Sequence, residues 1–207
     1  GYTPFTVHAT RFIKLGQENV ITVSVKDYSD TKEYSKGKQK FKRGGIWYSP
    51  QSGIWQTVWM ESVPNDYIEK LRITPDIDKE EVRFEYFGTG DLPVTVSVYD
   101  GDNLIAETTE KVVKLPDCKL WSPEHPFLYN VVFTAGKDRV KSYFGMRKFS
   151  VGTDENGIKR LFLNNKPYFH TGLLDQGYYP DGFLTPPSNA AMENDVKIVK
   201  SMGFNML

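Results

Sequence analysis

The sequence predicts a mostly β chain: antiparallel sandwich strands first, then one strand–helix–strand unit of a parallel sheet. Two observations predict this. Period-two runs recur between residues 67 and 145, with turn chemistry between them. After residue 188 the apolar spacing changes to that of a helix.

Composition sets the frame. Of the 207 residues, 39% are hydrophobic and 14% aromatic, enough apolar mass to build a core and to argue against disorder. Lys+Arg and Asp+Glu are equal at 26 each, which gives no electrostatic case for nucleic acid or an anionic membrane. No run of ~18 apolar residues occurs, so no bilayer-spanning helix is expected. The opening Gly1-Tyr2-Thr3-Pro4-Phe5 lacks signal-peptide character. Cys118 is the single cysteine, which excludes an internal disulfide and a Cys-rich zinc site. His8, His125 and His170 have no ligand spacing, so neither a metal nor a cofactor is expected.

The first segment is assigned to residues 1–64. Asn19–Val25 alternates and is rich in β-branched residues, a strand signal. The Lys-rich stretch Asp27–Lys42 reads as a loop, and Gln56–Glu61 reads as a second strand. Gly44–Glu61 holds Trp47, Tyr48, Trp55 and Trp59, and the three tryptophans read first as packing residues and second as sugar-stacking faces.

The second segment, residues 65–151, carries strand-like runs at Tyr67–Thr74, Glu81–Phe87, Pro93–Tyr99, Asn103–Thr109, Leu128–Thr134 and Val140–Gly145. Val82, Phe84 and Tyr86 alternate with Glu81, Arg83 and Glu85, so one face is buried and the other wet. Gly88-Thr89-Gly90-Asp91 and Asp100-Gly101-Asp102-Asn103 are turn sequences. Short strands at this spacing fit a sandwich of immunoglobulin-like size. The two prolines of Trp121-Ser122-Pro123-Glu124-His125-Pro126 remove ladder donors, so this run is a crossing loop with Trp121 over an end of the sandwich. Asp76, Asp78, Glu80 and Glu81 read as solvated.

The third segment is residues 152–207. Lys159–His170 reads as a hairpin around Asn164-Asn165-Lys166, because asparagine tolerates the left-handed conformation. His170 reads as a satisfied core residue. Leu174–Pro187 is a loop rich in Gly, Tyr, Pro and Asp. Ser188 or Asn189 caps a helix whose stripe is Met192, Val196, Val199 and Met202, and Gly203 stops it. Phe204–Leu207 is strand-like again, completing one βαβ unit. One such unit leaves a bare edge, so the chain reads as a window from a longer polypeptide.

Three stretches carry a family resemblance. They are Gly1–Thr6 with Gly44-Gly45-Ile46-Trp47-Tyr48 and Ser52–Trp59; Leu120–Tyr129, built on Trp121-Ser122-Pro123; and Phe144–Lys148, Phe162–Pro167, Gly172 and Gly203-Phe204-Asn205. Their order and spacing resemble glycoside hydrolase family 2, which comprises β-galactosidases, β-glucuronidases and β-mannosidases. The resemblance implies the late part of a jelly-roll domain, an immunoglobulin-like domain and the first βα unit of a (β/α)₈ TIM barrel. It also implies a retaining β-glycosidase with two glutamates ~5–5.5 Å apart. In the family both lie on later barrel strands. No catalytic residue is therefore nominated within the 207, and the chain by itself is expected to be inactive.

After its first barrel strand the family often has Gly-Val-Asn-Arg-His-Glu-His-His-Pro, whereas this sequence has Gly172–Pro180 with Asp175 and Gln176 at the Arg-His positions. That departure argues against ordinary galactoside specificity. A loop after a barrel strand lies on the substrate side of the barrel. Asp175 can accept two sugar hydroxyls, Gln176 can donate and accept, and Tyr178 and Tyr179 offer flat faces. These four are the expected substrate contacts, and a carbohydrate is the expected partner. Homo-oligomerisation of the full-length enzyme and its compartment stay open. The competing readings are a non-catalytic β-sandwich module that binds carbohydrate or protein, and a degenerate family member that has lost its acids.

Overall fold

The computed structural model describes residues 3–33, 35–88 and 90–207. Gly1 and Tyr2 of the first motif, Tyr34 of the Lys-rich loop and Thr89 of the first turn lie outside them. The chain divides into two compact units, Gly1–Trp59 with Gln176–Asn194, and Met60–Asp175 with Asp195–Leu207.

In the second unit, β1 (Lys70–Asp76), β2 (Glu81–Phe87) and β5 (Val112–Lys114) form one antiparallel sheet in the order β1-β2-β5. β3 (Val94–Asp100), β4 (Asn103–Thr108), β6 (Tyr129–Ala135) and β7 (Asp138–Phe144) form the other, in the order β4-β3-β6-β7. The alternating residues of β2, β3 and β6 turn Val82, Phe84, Val94, Val96, Val98, Val131 and Phe133 into one shared core. Phe84 meets Phe133 edge to face across the sheets, with centroids 5.5 Å apart. Burial of these apolar faces, at about 25 cal/mol per Å², is what joins the sheets.

The alternation placed β2 to the residue and the other long strands within a few residues of their observed ends. One detail differs. Ser97, between the core residues Val96 and Val98 and so on the opposite face of β3, is also buried, and its hydroxyl donates to Glu107 Oε2 at 3.0 Å.

The acidic run expected to be solvated stays in contact with solvent, and three of its carboxylates are also paired there. Asp76 pairs with Lys79, Glu81 with Lys114 at 2.8 Å, and Asp78 accepts from both Lys148 Nζ and Asn165 Nδ2. These partners are hydrogen-bond donors, some of them also cationic, so they hold the carboxyls below their ordinary range. For Asp78 the Lys148 ammonium is the main cause, for Glu81 the Lys114 ammonium, and for Asp76 the Lys79 backbone N–H.

A second hairpin system follows. β8 (Phe149–Thr153), β9 (Lys159–Leu163) and β10 (Lys166–Pro167) pair in the order β10-β9-β8. Asn164 (φ 51°) and Asn165 (φ 64°) make the left-handed turn between β9 and β10, as a two-residue hairpin requires. The expected segment boundary near residue 151 falls inside β8.

The crossing loop is tied on both sides. Trp121 N donates to Met146 O at 2.9 Å, and Asn164 Nδ2 donates to Trp121 O at 2.9 Å. Gly145 lies flat against the indole, where an added Cβ would stand 3.2 Å from Trp121 Cβ. Trp121 thus sits beyond the end of β7.

Within the same loop Glu124 Oε1 accepts from Tyr168 OH at 2.6 Å. That bond is the main reason the Glu124 carboxyl titrates below its ordinary value, while desolvation leads in raising the Tyr168 phenol. Tyr168→Phe is expected to cost about 0.5 kcal/mol near neutral pH, the low end for an exposed charge-assisted bond. A depressed acid stabilises above the free carboxyl pKa of ~4.3 and loses that as pH falls through its folded value. A raised phenol stabilises below ~10 and loses that as pH rises through its folded value. Urea midpoints of wild type and variant should therefore differ most between these limits and converge outside them.

Helix α1 (Asn189–Ser201) begins where Ser188 Oγ accepts from Ala191 N at 3.1 Å, which makes Ser188 the cap. It ends in a Schellman motif: Phe204 N reaches Val199 O, Gly203 N reaches Lys200 O, and Gly203 takes φ +90°. The apolar stripe is largely open. Met192, Val196 and Met202 are exposed, and no residue of α1 is fully buried. Either side of α1 the backbone pairs in parallel, with Asn205 N to Thr171 O at 3.0 Å and Leu173 N to Met206 O at 3.2 Å.

The first unit corrects two expectations. Asn19–Val25 and Gln56–Glu61 form no ladder, and Val20, Ile21, Val58 and Trp59 are exposed. Alternation makes a strand only where a partner strand supplies the ladder hydrogen bonds, and none is present among the described residues. What order this unit has comes from hairpin turns and side-chain bonds.

Candidate functional site

Within the first unit, two stretches far apart in sequence build one cluster. The first is a tight turn. Gly44 and Trp47 exchange reciprocal backbone bonds (3.2 and 3.1 Å), and Gly45 supplies φ +59°. The turn returns the chain to Tyr48, whose N donates to Lys38 O at 2.7 Å and whose O accepts from Lys40 N at 3.1 Å. Gln51 N continues the pairing by donating to Gln39 Oε1 at 2.9 Å.

The second stretch is the Tyr-rich loop. Tyr179 and Phe183 exchange backbone bonds (2.8 and 3.0 Å), with Phe183 at φ 53°. Tyr178 stacks on Tyr48, centroids 4.5 Å apart and planes 16° apart, and its hydroxyl donates to Ser49 O at 2.9 Å. Tyr48 OH donates to Gln176 Oε1 at 2.5 Å. Thr185 Oγ1 donates to Trp55 O at 3.0 Å. Gln51 Nε2 is buried and has no partner among the described residues.

Of the four expected contact residues, Gln176, Tyr178 and Tyr179 thus share one cluster. Asp175 is exposed and lies at the end of the other unit's main run. The sequence marked Trp55 as a packing residue and gave no role to Tyr48, Ser49 or Gln51. The available signal was the Gly44-Gly45 pair, which fixes the turn that presents Tyr48.

A second concave surface lies in the other unit, an open groove lined by Asp154, Arg160, Phe162, Tyr168 and His170, among others. Its charges close the β8–β9 turn. Asp154 accepts from Ile158 N, Asn156 N and Arg160 Nε, and the Ile158 N–H leads in lowering its carboxyl below the ordinary range. His170 faces the Tyr168 and Phe149 rings, and its buried Nδ1 has no partner among the described residues. The expectation of a satisfied histidine is corrected: aromatic faces offer Nδ1 no strong partner, and the Tyr168 hydroxyl is committed to Glu124.

Every carboxyl resolved as shifted, namely Asp76, Asp78, Glu81, Glu124 and Asp154, is shifted downward. A glycosidase acid needs the opposite displacement. No cluster of three His, Cys, Asp or Glu side chains among the described residues could hold a metal ion. No helix among them is long and apolar enough to cross a membrane.

Comparison with known proteins points to one family. The profile of "Glycosyl hydrolases family 2" matches residues 66–147, the sandwich and the Trp121 loop. That segment is similar to glycosyl hydrolases family 2. A Formosa agariphila protein, provisionally named a beta-glucuronidase, is 26% identical over 231 aligned residues, covering 100% of this chain and 26% of that protein. The "Beta-galactosidase" of Lactococcus lactis is 26% identical and covers 74% of this chain and 16% of its own length. A solved Faecalibacterium prausnitzii beta-glucuronidase superposes with TM-score 0.60 at 27% identity, covering 68% of this chain and 23% of that one. The chain thus spans about a quarter or less of the length of these relatives. The resemblance carried by the motifs is borne out, and the Trp121 run lies inside the matched segment.

Proposed function

We propose that the chain is the non-catalytic lead-in of a retaining β-glycosidase, with an immunoglobulin-like sandwich at residues 65–151 and the start of a (β/α)₈ barrel at 152–207. Residues 1–64 are read as the late part of a jelly-roll domain. The observation that supports this best is the parallel pairing of Thr171–Leu173 with Asn205–Met206 around α1. The loop 174–187 leaves the C-terminal end of the first of these strands, which is the end where barrel enzymes hold substrate. Asp175, Gln176 and Tyr179 are read as sugar contacts and Tyr178 as the residue that anchors the loop. The glutamates that break the glycosidic bond are read as belonging to polypeptide outside the 207.

The relatives named as glucuronidases and a galactosidase suggest the assay, hydrolysis of p-nitrophenyl β-D-glucuronide and β-D-galactoside by the full-length enzyme. Asp175→Ala is expected to lower kcat/KM at least ~tenfold, about 1.4 kcal/mol. Unchanged kinetics would return Asp175 to a structural role. Sugar binding with no turnover by the full-length polypeptide would favour a binding module.

A further inference from the structure

We infer that Tyr48 is a positioning residue for sugar recognition, acting through Gln176 and fixing which end of that amide meets the ligand. The inference rests on reading loop 174–187 as substrate-facing. A glutamine side chain is two-ended: its carbonyl accepts, its NH₂ donates, and the two differ only by a flip of the terminal torsion. An exposed glutamine left to itself samples both orientations and presents either end. Gln176 is exposed, yet its carbonyl oxygen is taken by Tyr48 OH at 2.5 Å. A phenol is a better donor than acceptor, so it favours the observed orientation, in which it donates to the carbonyl oxygen and the two N–H groups point away from Tyr48. Gln176 is thereby set as a donor, matched to an acceptor oxygen of the sugar.

Tyr48 is itself held well enough to do this. Its backbone is bonded on both sides, to Lys38 O and Lys40 N, and its ring is stacked on Tyr178. Tyr178 is fixed by its hydroxyl on Ser49 O, and its ring also lies 5.4 Å from that of Phe183. The ring face that Tyr178 would offer a pyranose is covered by Tyr48. The cluster therefore leaves Gln176, not Tyr178, as the recognition group next to the anchor. No spacing in the sequence joins these residues, which lie 128 positions apart.

The test uses the full-length enzyme and the two p-nitrophenyl glycosides. Tyr48→Phe keeps the ring stack and removes only the hydroxyl. A net hydrogen bond is worth about a fivefold bias between amide orientations, so KM should rise about fivefold with kcat nearly unchanged. Gln176→Ala should raise KM at least as much, and the double variant should be no worse than Gln176→Ala alone. Gln176→Glu keeps an acceptor for Tyr48 but loses the donors, so it should match Gln176→Ala. A further fivefold loss from Tyr48→Phe in the Gln176→Ala background would overturn the inference, as would a Gln176→Glu enzyme with wild-type KM. A damaging Gln176→Ala beside a silent Tyr48→Phe would sink the role of Tyr48 alone. A silent Gln176→Ala would remove both this inference and the substrate-facing reading of the loop.

Discussion

Phe84→Ala is expected to cost the sandwich about 3–5 kcal/mol. Phe84 is fully buried on β2, and its ring is shared between sheets, 5.5 Å from Phe133 on β6 and 6.0 Å from Phe144 at the end of β7. Truncation removes the transfer free energy of a phenyl ring and leaves a cavity that two hydrogen-bonded sheets cannot collapse to fill. Single domains are stable by only about 5–15 kcal/mol, so such a loss takes a large share of the total. Urea unfolding followed by tryptophan fluorescence would measure it. Phe84→Leu should recover most of the loss, and Tyr143→Ala, on the exposed face of β7, should change the midpoint little. A Phe84→Ala midpoint equal to wild type would mean that the sheets do not meet where the core places them.

The same core explains how much of the fold was legible. Val82-Phe84 and Val94-Val96-Val98 alternate because each faces a partner sheet, so periodicity and burial agree there. β5 escaped notice because three residues, Val112–Lys114, carry too little pattern to show a period. Asn19–Val25 has the same pattern as a true strand but no ladder. A strand is a property of a pair, and one-dimensional pattern cannot reveal a missing partner. The helix was readable because its ends are local: a serine cap and a glycine stop act within four residues. The candidate site was readable only by half. Gln176 and Tyr178 stand out in a loop whose neighbours frame them, whereas Tyr48 reaches them through tertiary contact across more than a hundred residues. The acidic run around Asp78 reads correctly as solvent-facing, but its partners Lys148 and Asn165, 70 and 87 positions away, are not visible in the sequence.

Gly88→Ala is expected to cost about 3 kcal/mol, and a comparison with Gly101→Ala shows why. Both glycines hold left-handed backbone, φ +93° and φ +61°. An L side chain in that region costs roughly 1–2 kcal/mol wherever it occurs. At Gly101, in the β3–β4 turn, a Cβ would meet nothing within 4 Å, so the conformational cost stands alone. At Gly88 the Cβ would lie 2.6 Å from Glu69 Cβ, 2.9 Å from Glu69 N and 3.0 Å from Tyr67 O. Two of those atoms are backbone, and Glu69 N is already bonded to Phe87 O at 2.9 Å. Relief therefore means separating the residues just before β1 from the end of β2, with the added overpacking cost of about 1–3 kcal/mol. The difference between the two variants, read from urea midpoints at constant m-value, isolates the steric part from the torsional one. Equal losses would show that the Gly88 turn relaxes freely, and that the β1–β2 pairing does not end in a fixed close approach.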